Sequence, residues 1–340
     1  MSTSRLVVIE AGRHELRLVG RDGGWHTRAT KWPDVADAVT GLVEALHALC
    51  PDSSAPVLLV LGCQDRFGGH REALIGLGRA LASWPGKPPM VRVACVNGTS
   101  WPLGAALRSP LPATRFTLPR APGLRALAEG VGQPDAEAVV DIGASSAEWV
   151  RLVSRDPVGP HDHGALARLR DGRMSWIGLL DTPMDAVLET FRGWPVVPRH
   201  ARIRAATRWL GLPPLPLPTP ADRAALAREL AAALALDPEG LLRAFPREAD
   251  PFTALAQATW RAAVRRLARA WSTQAPPGSP VWTCGIGGRS LGGAALRRLR
   301  HTVLGDLEAV HGLPPGYGVA AGWFIRSQVR GLAAIATPPA

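Results

Sequence analysis

The chain has 340 residues and a formal net charge of +11, with 46% hydrophobic and 20% charged residues. That length suits two domains, or one large one, with ample core, and the apolar share excludes a disordered chain. No apolar run approaches the ~18 residues that a membrane-spanning helix needs.

After Arg5 only LVVI precedes Glu10, too short an apolar run for a secretory signal. Cys50, Cys63, Cys95 and Cys284 form no CxxC pair and have no histidines at zinc spacing. They read as reduced thiols of a cytoplasmic protein, not as a disulfide framework or a metal site. The positive charge is almost all arginine, with Lys31 and Lys87 the only lysines. It is spread along the chain, with modest concentrations at Arg261–Arg269 and Arg297–Arg300, and aromatic residues do not interleave with it. This argues against nucleic-acid binding and for a surface that attracts anionic substrates or phosphates.

Residues 5–20 read as strand, acidic residue (Glu10), Gly12 and second strand, closed by the turn RDGG at 21–24. GWHTRAT makes a third strand. Residues 34–49 carry the apolar spacing of an amphipathic helix with Asp34 as N-cap. VLLVL at 57–61 is a buried strand ending in the glycine-rich GCQDRFGG, then come a helix over 70–83 and a strand over 90–96. A Pro-broken segment and a helix over 123–131 lead to AVVDIGASSAEWVRL at 138–152. That stretch repeats the opening plan: strand, Asp141, a turn through Gly143, Ser145 and Ser146, and a second strand carrying Glu148. Such a turn offers backbone N–H groups to phosphate and a carboxylate to a hydrated metal. In open α/β sheets ligands bind beyond the strand carboxyl ends, where Glu10, Asp65, Asn97 and Asp141 fall.

Beyond 152, His161, Asp162 and His163 are adjacent on a loop and cannot readily converge on one ion. GRMSWIGLLDTP predicts a short strand and a helix starting at Pro183 with Thr182 as N-cap. A basic helix over 199–210, a Pro-rich connector and helices over 221–235, 238–245 and 251–273 follow. The arginine face of the last reads as solvated. PVWTC at 280–284 predicts a strand opening into Gly285-Ile286-Gly287-Gly288, where a diphosphate could approach the backbone, followed by one helix over 293–310. A small-residue helix closes the chain.

Two strand–acid–glycine turns a domain's length apart and a late strand–GIGG–helix resemble the actin/sugar-kinase/Hsp70 ATPase layout. The resemblance implies an α/β fold: duplicated ribonuclease H-like domains around a central cleft, residues 1–132 and 133–340, with a helical insertion at about 184–275. More narrowly, VVDIGASS at 139–146, GRMSWIGLLDTP at 172–183 and the helix ending in Arg208-Trp209-Leu210-Gly211 resemble the hydantoinase/oxoprolinase-related proteins of tetrahydromethanopterin-linked C1 transfer. The likeness runs over nearly the whole chain. It implies a transferase of methanofuran-type cofactor biosynthesis, condensing a furan-methylamine diphosphate with a tyramine- or tyrosine-derived phenol. Under that reading Asp141 and Glu10 hold the hydration shell of Mg²⁺, and Gly12, Arg13, Gly143, Ser145, Ser146, Glu148, Thr182, Gly285, Gly287 and Gly288 contact the phosphorylated substrate. ATP is not favoured, because Arg13 stands where the family has a bare glycine. Other departures are Glu148 in place of Asp, Asp181 in place of the arginine before Thr-Pro, and a segment 196–207 without acids. These imply two alternatives: a non-catalytic homologue serving as a subunit or scaffold in the same pathway, or an ATP-dependent kinase or ligase on the same fold. The expected macromolecular partner is a second copy of the chain or a pathway protein.

Overall fold

In the computed structural model of the protein, the residues described are 6–11, 15–20, 25–29, 35–49, 56–61, 71–84, 88–95, 98–108, 119–133, 135–152, 165–198 and 200–334. The chain divides into two compact units. One holds Met1–Pro134, Ser154–Arg168 and Tyr317–Ala340; the other holds Asp135–Val153 and Leu169–Gly316.

The first unit begins with an antiparallel meander of β1 (Val7–Ala11), β2 (Glu15–Val19) and β3 (Trp25–Ala29). Helix α1 (Val35–Leu49) leads to β4 (Val57–Leu61), which pairs in parallel with β1, and α2 (Arg71–Ala82) leads to β5 (Val91–Ala94), parallel to β4. The turn at Gly98 (φ +81°) returns β6 (Ser100–Pro102) antiparallel onto β5, a strand that the sequence reading missed. Helices α3 (Leu103–Arg108) and α4 (Arg120–Glu129) follow. The sheet order is β3-β2-β1-β4-β5-β6. β4 is apolar throughout and β1 apart from Glu10, and both are buried along their length because parallel strands are covered on both faces. Leu42 and Leu46 of α1 and Leu74, Leu77 and Leu81 of α2 complete that core.

The second unit opens with β7 (Ala138–Ile142) and β8 (Ala147–Arg151). After the short helix α5 (Ala165–Arg170) comes β9 (Met174–Ser175), and the three strands form a second meander. Residues 183–189 are not the predicted helix. Thr182 cannot cap one, because its Oγ1 accepts the Gly178 N–H at 2.8 Å and its carbonyl accepts the Ile203 N–H at 2.9 Å. Instead Pro183 bridges to Arg202, and the chain forms a small hairpin of β10 (Thr190–Phe191) and β11 (Trp194–Pro195). Helices α6 (Ile203–Trp209), α7 (Pro220–Ala232), α8 (Pro238–Ala244) and α9 (Pro251–Trp271) complete the insertion. The last three each start with proline behind a capping Thr219, Asp237 or Asp250.

β12 (Pro280–Cys284) then pairs in parallel with β7, and a π-helical turn at Gly288–Gly292 runs into α10 (Gly293–Arg298). The single helix expected over 293–310 is in fact three elements. Arg300 at φ +62° ends α10, β13 (Thr302–Asp306) pairs in parallel with β12, and Asp306 caps α11 (Leu307–Val310). The sheet order is β13-β12-β7-β8-β9. Ala138, Val140 and Ile142 of β7 face Leu267 and Trp271 of α9 and Leu296 of α10 in one core, and the insertion has its own around Phe191, Leu230 and Leu255.

The chain ends with α12 (Gly318–Ala334), which belongs to the first unit. It crosses α4 where Gly123 and Gly322 let the backbones meet, and Trp323 Nε1–H donates to the Pro119 carbonyl at 2.7 Å. Both units therefore share one path: a three-stranded meander whose first strand pairs in parallel with the fourth, and the fourth with the fifth. The protein is a duplicated ribonuclease H-like α/β fold, of the actin/sugar-kinase/Hsp70 class.

Candidate functional site

Asp141 ends the buried strand β7, and the chain turns through Gly143, Ala144, Ser145 and Ser146 into β8. The turn is closed by the Gly143 N–H donating to the Ser146 carbonyl at 2.9 Å. Segment 176–182 lies along it: the N–H groups of Leu179, Leu180 and Asp181 donate to the carbonyls of Gly143 and Ala144 at 2.9–3.0 Å. Gly178 rests directly on the Ala144–Ser145 peptide, where a Cβ would overlap it. Asp181 is anchored from the far side by Arg202 Nη1 at 2.9 Å. The Gly143, Ala144 and Ser146 carbonyls are thus occupied from within the unit, whereas the Ala144, Ser145 and Ser146 N–H groups donate to no described residue. Three successive backbone donors in a turn fixed from behind are of the kind that can take an anion.

Ser145 is half-buried and Ser146 buried beside those donors. Thr182 is buried too, and its hydroxyl accepts the Gly178 N–H within the 176–182 loop, so it helps to shape the turn. The glycine turn is also explained by close chain approach. Gly285 sits at φ +82°, and a Cβ there would overlap Asp141 Oδ1 and lie 2.6 Å from the Ile142 carbonyl oxygen. Gly287 donates to that carbonyl at 2.9 Å, and a Cβ on it would lie 2.6 Å from Ile142 Cγ2. Gly288 meets only ordinary contacts, the nearest at 3.4 Å. Two of the three glycines therefore stitch β12 to the end of β7.

Acidic groups gather at this carboxyl edge. Asp141 stands opposite Glu148 on β8 and beside Cys284 on β12, in register. Burial, and then the charges of Glu308, Asp141 and Asp306, push the Cys284 thiol well above its ordinary pKa, so it stays protonated and is no nucleophile. Asp306 caps α11 through the Ala309 N–H at 3.0 Å and accepts from the Thr283 hydroxyl at 3.4 Å. Burial raises its carboxyl, while that amide and Arg289, 3.7 Å away, pull the other way. Asp306 and Glu308 were missed from sequence, whereas Cys284 is the buried reduced thiol expected there. Asp306 was findable as an N-cap only had β13 been recognised.

Glu10 lies in the first unit and Asp141 in the second. Glu10 is directly opposite Arg17 across β1 and β2, and its Oε1 lies 3.3 Å from Arg17 Nη1, both side chains largely buried. A carboxylate held by a guanidinium is a poor ligand for a hard cation. No three His, Cys, Asp or Glu side chains among the described residues come together in a metal-holding arrangement. The described residues therefore present no direct three-ligand Mg²⁺ site. Gly12 and Arg13, like Asp65, Asn97 and the 161–163 histidine loop, lie outside the described residues.

No protein-family profile matches the sequence, and no curated protein sequence does. Solved structures align over almost the whole chain at low scores. The activator of 2-hydroxyisocaproyl-CoA dehydratase from Clostridium difficile is 10% identical, with 99% of each chain covered and a TM-score of 0.41. An archaeal actin homologue, Ta0583, is 13% identical over 96% of this chain and 99% of its own, with a TM-score of 0.45. A ROK hexokinase from Thermus thermophilus is 14% identical over 96% and 98%, with a TM-score of 0.39. The fold assignment stands on the shared strand path of the two units. No helix among the described residues is long and apolar enough to cross a membrane.

Proposed function

We propose that the protein acts in the biosynthesis of a methanofuran-type C1-carrier cofactor, joining a furan-methylamine diphosphate to a tyramine- or tyrosine-derived phenol. The phenol oxygen attacks the furanylmethyl carbon. The bond from that carbon to the diphosphate oxygen breaks, diphosphate leaves with the electron pair, and the phenol proton passes to solvent. The requirement is charge stabilisation on the leaving group more than a strong base. What supports this reading is the turn at 143–146, with three backbone donors unclaimed by the described residues and carbonyls fixed from behind. The sequence resemblance supplies the substrate class. No step is routed through a metal, since no three described side chains gather to ligate one directly.

The test is diphosphate release from the purified protein given both precursors. Ala144→Pro deletes one N–H that makes no hydrogen bond with the described residues. It is expected to cut the rate by about 10²–10³-fold, the loss typical of one oxyanion donor, with Tm held. A protein that neither releases diphosphate nor binds inorganic diphosphate by calorimetry would sink the proposal.

A second reading, a non-catalytic subunit of the same pathway, is favoured by the Glu10–Arg17 pair and by the absorption of Gly285 and Gly287 into packing. It expects no turnover, together with stable co-purification of a pathway enzyme.

A further inference from the structure

Helix α9 buries Leu255, Ala262, Ala263, Leu267 and Trp271 and turns the opposite side to solvent. That exposed side carries Arg261, Arg265 and Arg269, each four residues from the next, so three guanidinium groups lie in one row along ~12 Å of helix. None of the three has a carboxylate partner among the described residues: Arg261 reaches only the Gln257 amide oxygen at 3.3 Å. Adjacent Arg266 differs, being paired with Glu189 at 3.3 Å. Like charges four apart on a helix repel, at roughly 0.2–0.5 kcal/mol per pair. The helix dipole offsets this only in the last turn, where Arg269 alone stands.

Exposed arginines also end α10. Trp149 touches both Trp271 at the end of α9 and His301 just past α10, with ring centroids 6.0 and 5.5 Å away. The two helix ends therefore flank one side chain, and exposed Arg297, Arg298 and Arg300 sit at the same end of the unit as Arg269. No exposed aromatic residue interrupts the row, so base stacking has no platform there. A straight line of charges one helical turn apart matches carboxylates at the same spacing on another helix.

We propose that the arginine row of α9, extended by the arginines ending α10, docks an acidic helical segment of a partner protein. The row is remote from the 143–146 turn in sequence and chemistry, so the proposal stands whether or not that turn binds diphosphate.

The probe is a fluorescent helical peptide with glutamates at every fourth position, titrated into the full-length protein and followed by anisotropy at low and physiological salt. Binding that weakens with salt is expected, and the variant Arg261→Gln/Arg265→Gln/Arg269→Gln should weaken it about tenfold or more. The control Arg228→Gln/Arg243→Gln/Arg247→Gln removes the same charge from other exposed positions and should leave binding within about twofold. A third variant separates docking from folding. Arg265→Glu puts a carboxylate four residues from Arg261 and from Arg269, so it should hold or raise Tm while abolishing binding. Equal losses in both triple variants, no binding at low salt, or tighter binding of a single- or double-stranded oligonucleotide than of the peptide would each overturn the proposal.

Discussion

Gly285 shows how one residue type can carry two explanations. From sequence, a glycine after a strand and before a helix reads as an opening for a phosphate. In the structure its positive φ and its contact with Asp141 and the Ile142 carbonyl already require it. Gly285→Ala is therefore expected to destabilise the second unit by about 2–4 kcal/mol, combining backbone strain with overlap on the Ile142 carbonyl, a backbone group that cannot swing aside as the Asp141 carboxylate can. Gly132 is the comparison. It has φ +69° and nothing within 4 Å of the point where an alanine methyl would stand, so Gly132→Ala should cost only the left-handed backbone penalty of about 1–2 kcal/mol. Urea denaturation of both variants measures the difference, and equal costs would mean that the close approach at Gly285 relaxes freely. The same contrast bears on Glu10, which sequence marks as an acid at a strand end. Its partner Arg17 is visible only once the register of β1 and β2 is known.

At the scale of elements, legibility followed hydrophobic period and capping. The buried runs of β1, β4, β7 and β12, and the proline-started helices α7, α8 and α9, were readable because each has a continuous apolar pattern or a strong stop signal. β13 was not, since Thr302–Asp306 is mostly half-exposed and follows α10 after a bend at Arg300 that no glycine or proline announces. The helix expected at Pro183 failed for a tertiary reason: Thr182, the expected cap, was already committed to Gly178 and Ile203. That bend at Arg300 also places His301, 7% exposed, against Trp149. Burial lowers the imidazole's pKa below its ordinary value of about 6.5. The unfolded chain then takes up the proton before the folded one. The neutral imidazole's contribution is complete above about pH 6.5 and is lost as pH falls from there through the lowered folded value. Thermal melts at pH 7.5 and 5.5 should show a smaller drop in Tm for His301→Gln than for the unsubstituted protein. An equal drop would assign the acid sensitivity to other groups.

For the whole molecule, the duplication was legible because the same strand–acid–glycine plan occurs twice, and both copies became the centre of a five-strand path in the same order. The chain's return was not. A helix rich in Gly and Ala could pack on either sheet by composition, and only the crossing at Gly123 and Gly322, with Trp323 bonded to Pro119, commits α12 to the first unit. This gives the two units unequal independence. The described cores of the second draw only on residues within Asp135–Val153 and Leu169–Gly316. The first needs Tyr317–Ala340, because without it the face of α4 that receives the fully buried Trp323, and the sides of β1 and β2 that α12 covers, would meet water. A fragment of residues 135–316 is therefore expected to give α/β circular dichroism and one cooperative urea transition. A fragment ending at residue 134 should melt without cooperativity, and adding residues 317–340 through a short flexible linker should restore the transition. Cooperative unfolding of 1–134 alone would show that α12 stabilises a unit already complete, and the glycine crossing would then be a means of attachment rather than part of the core.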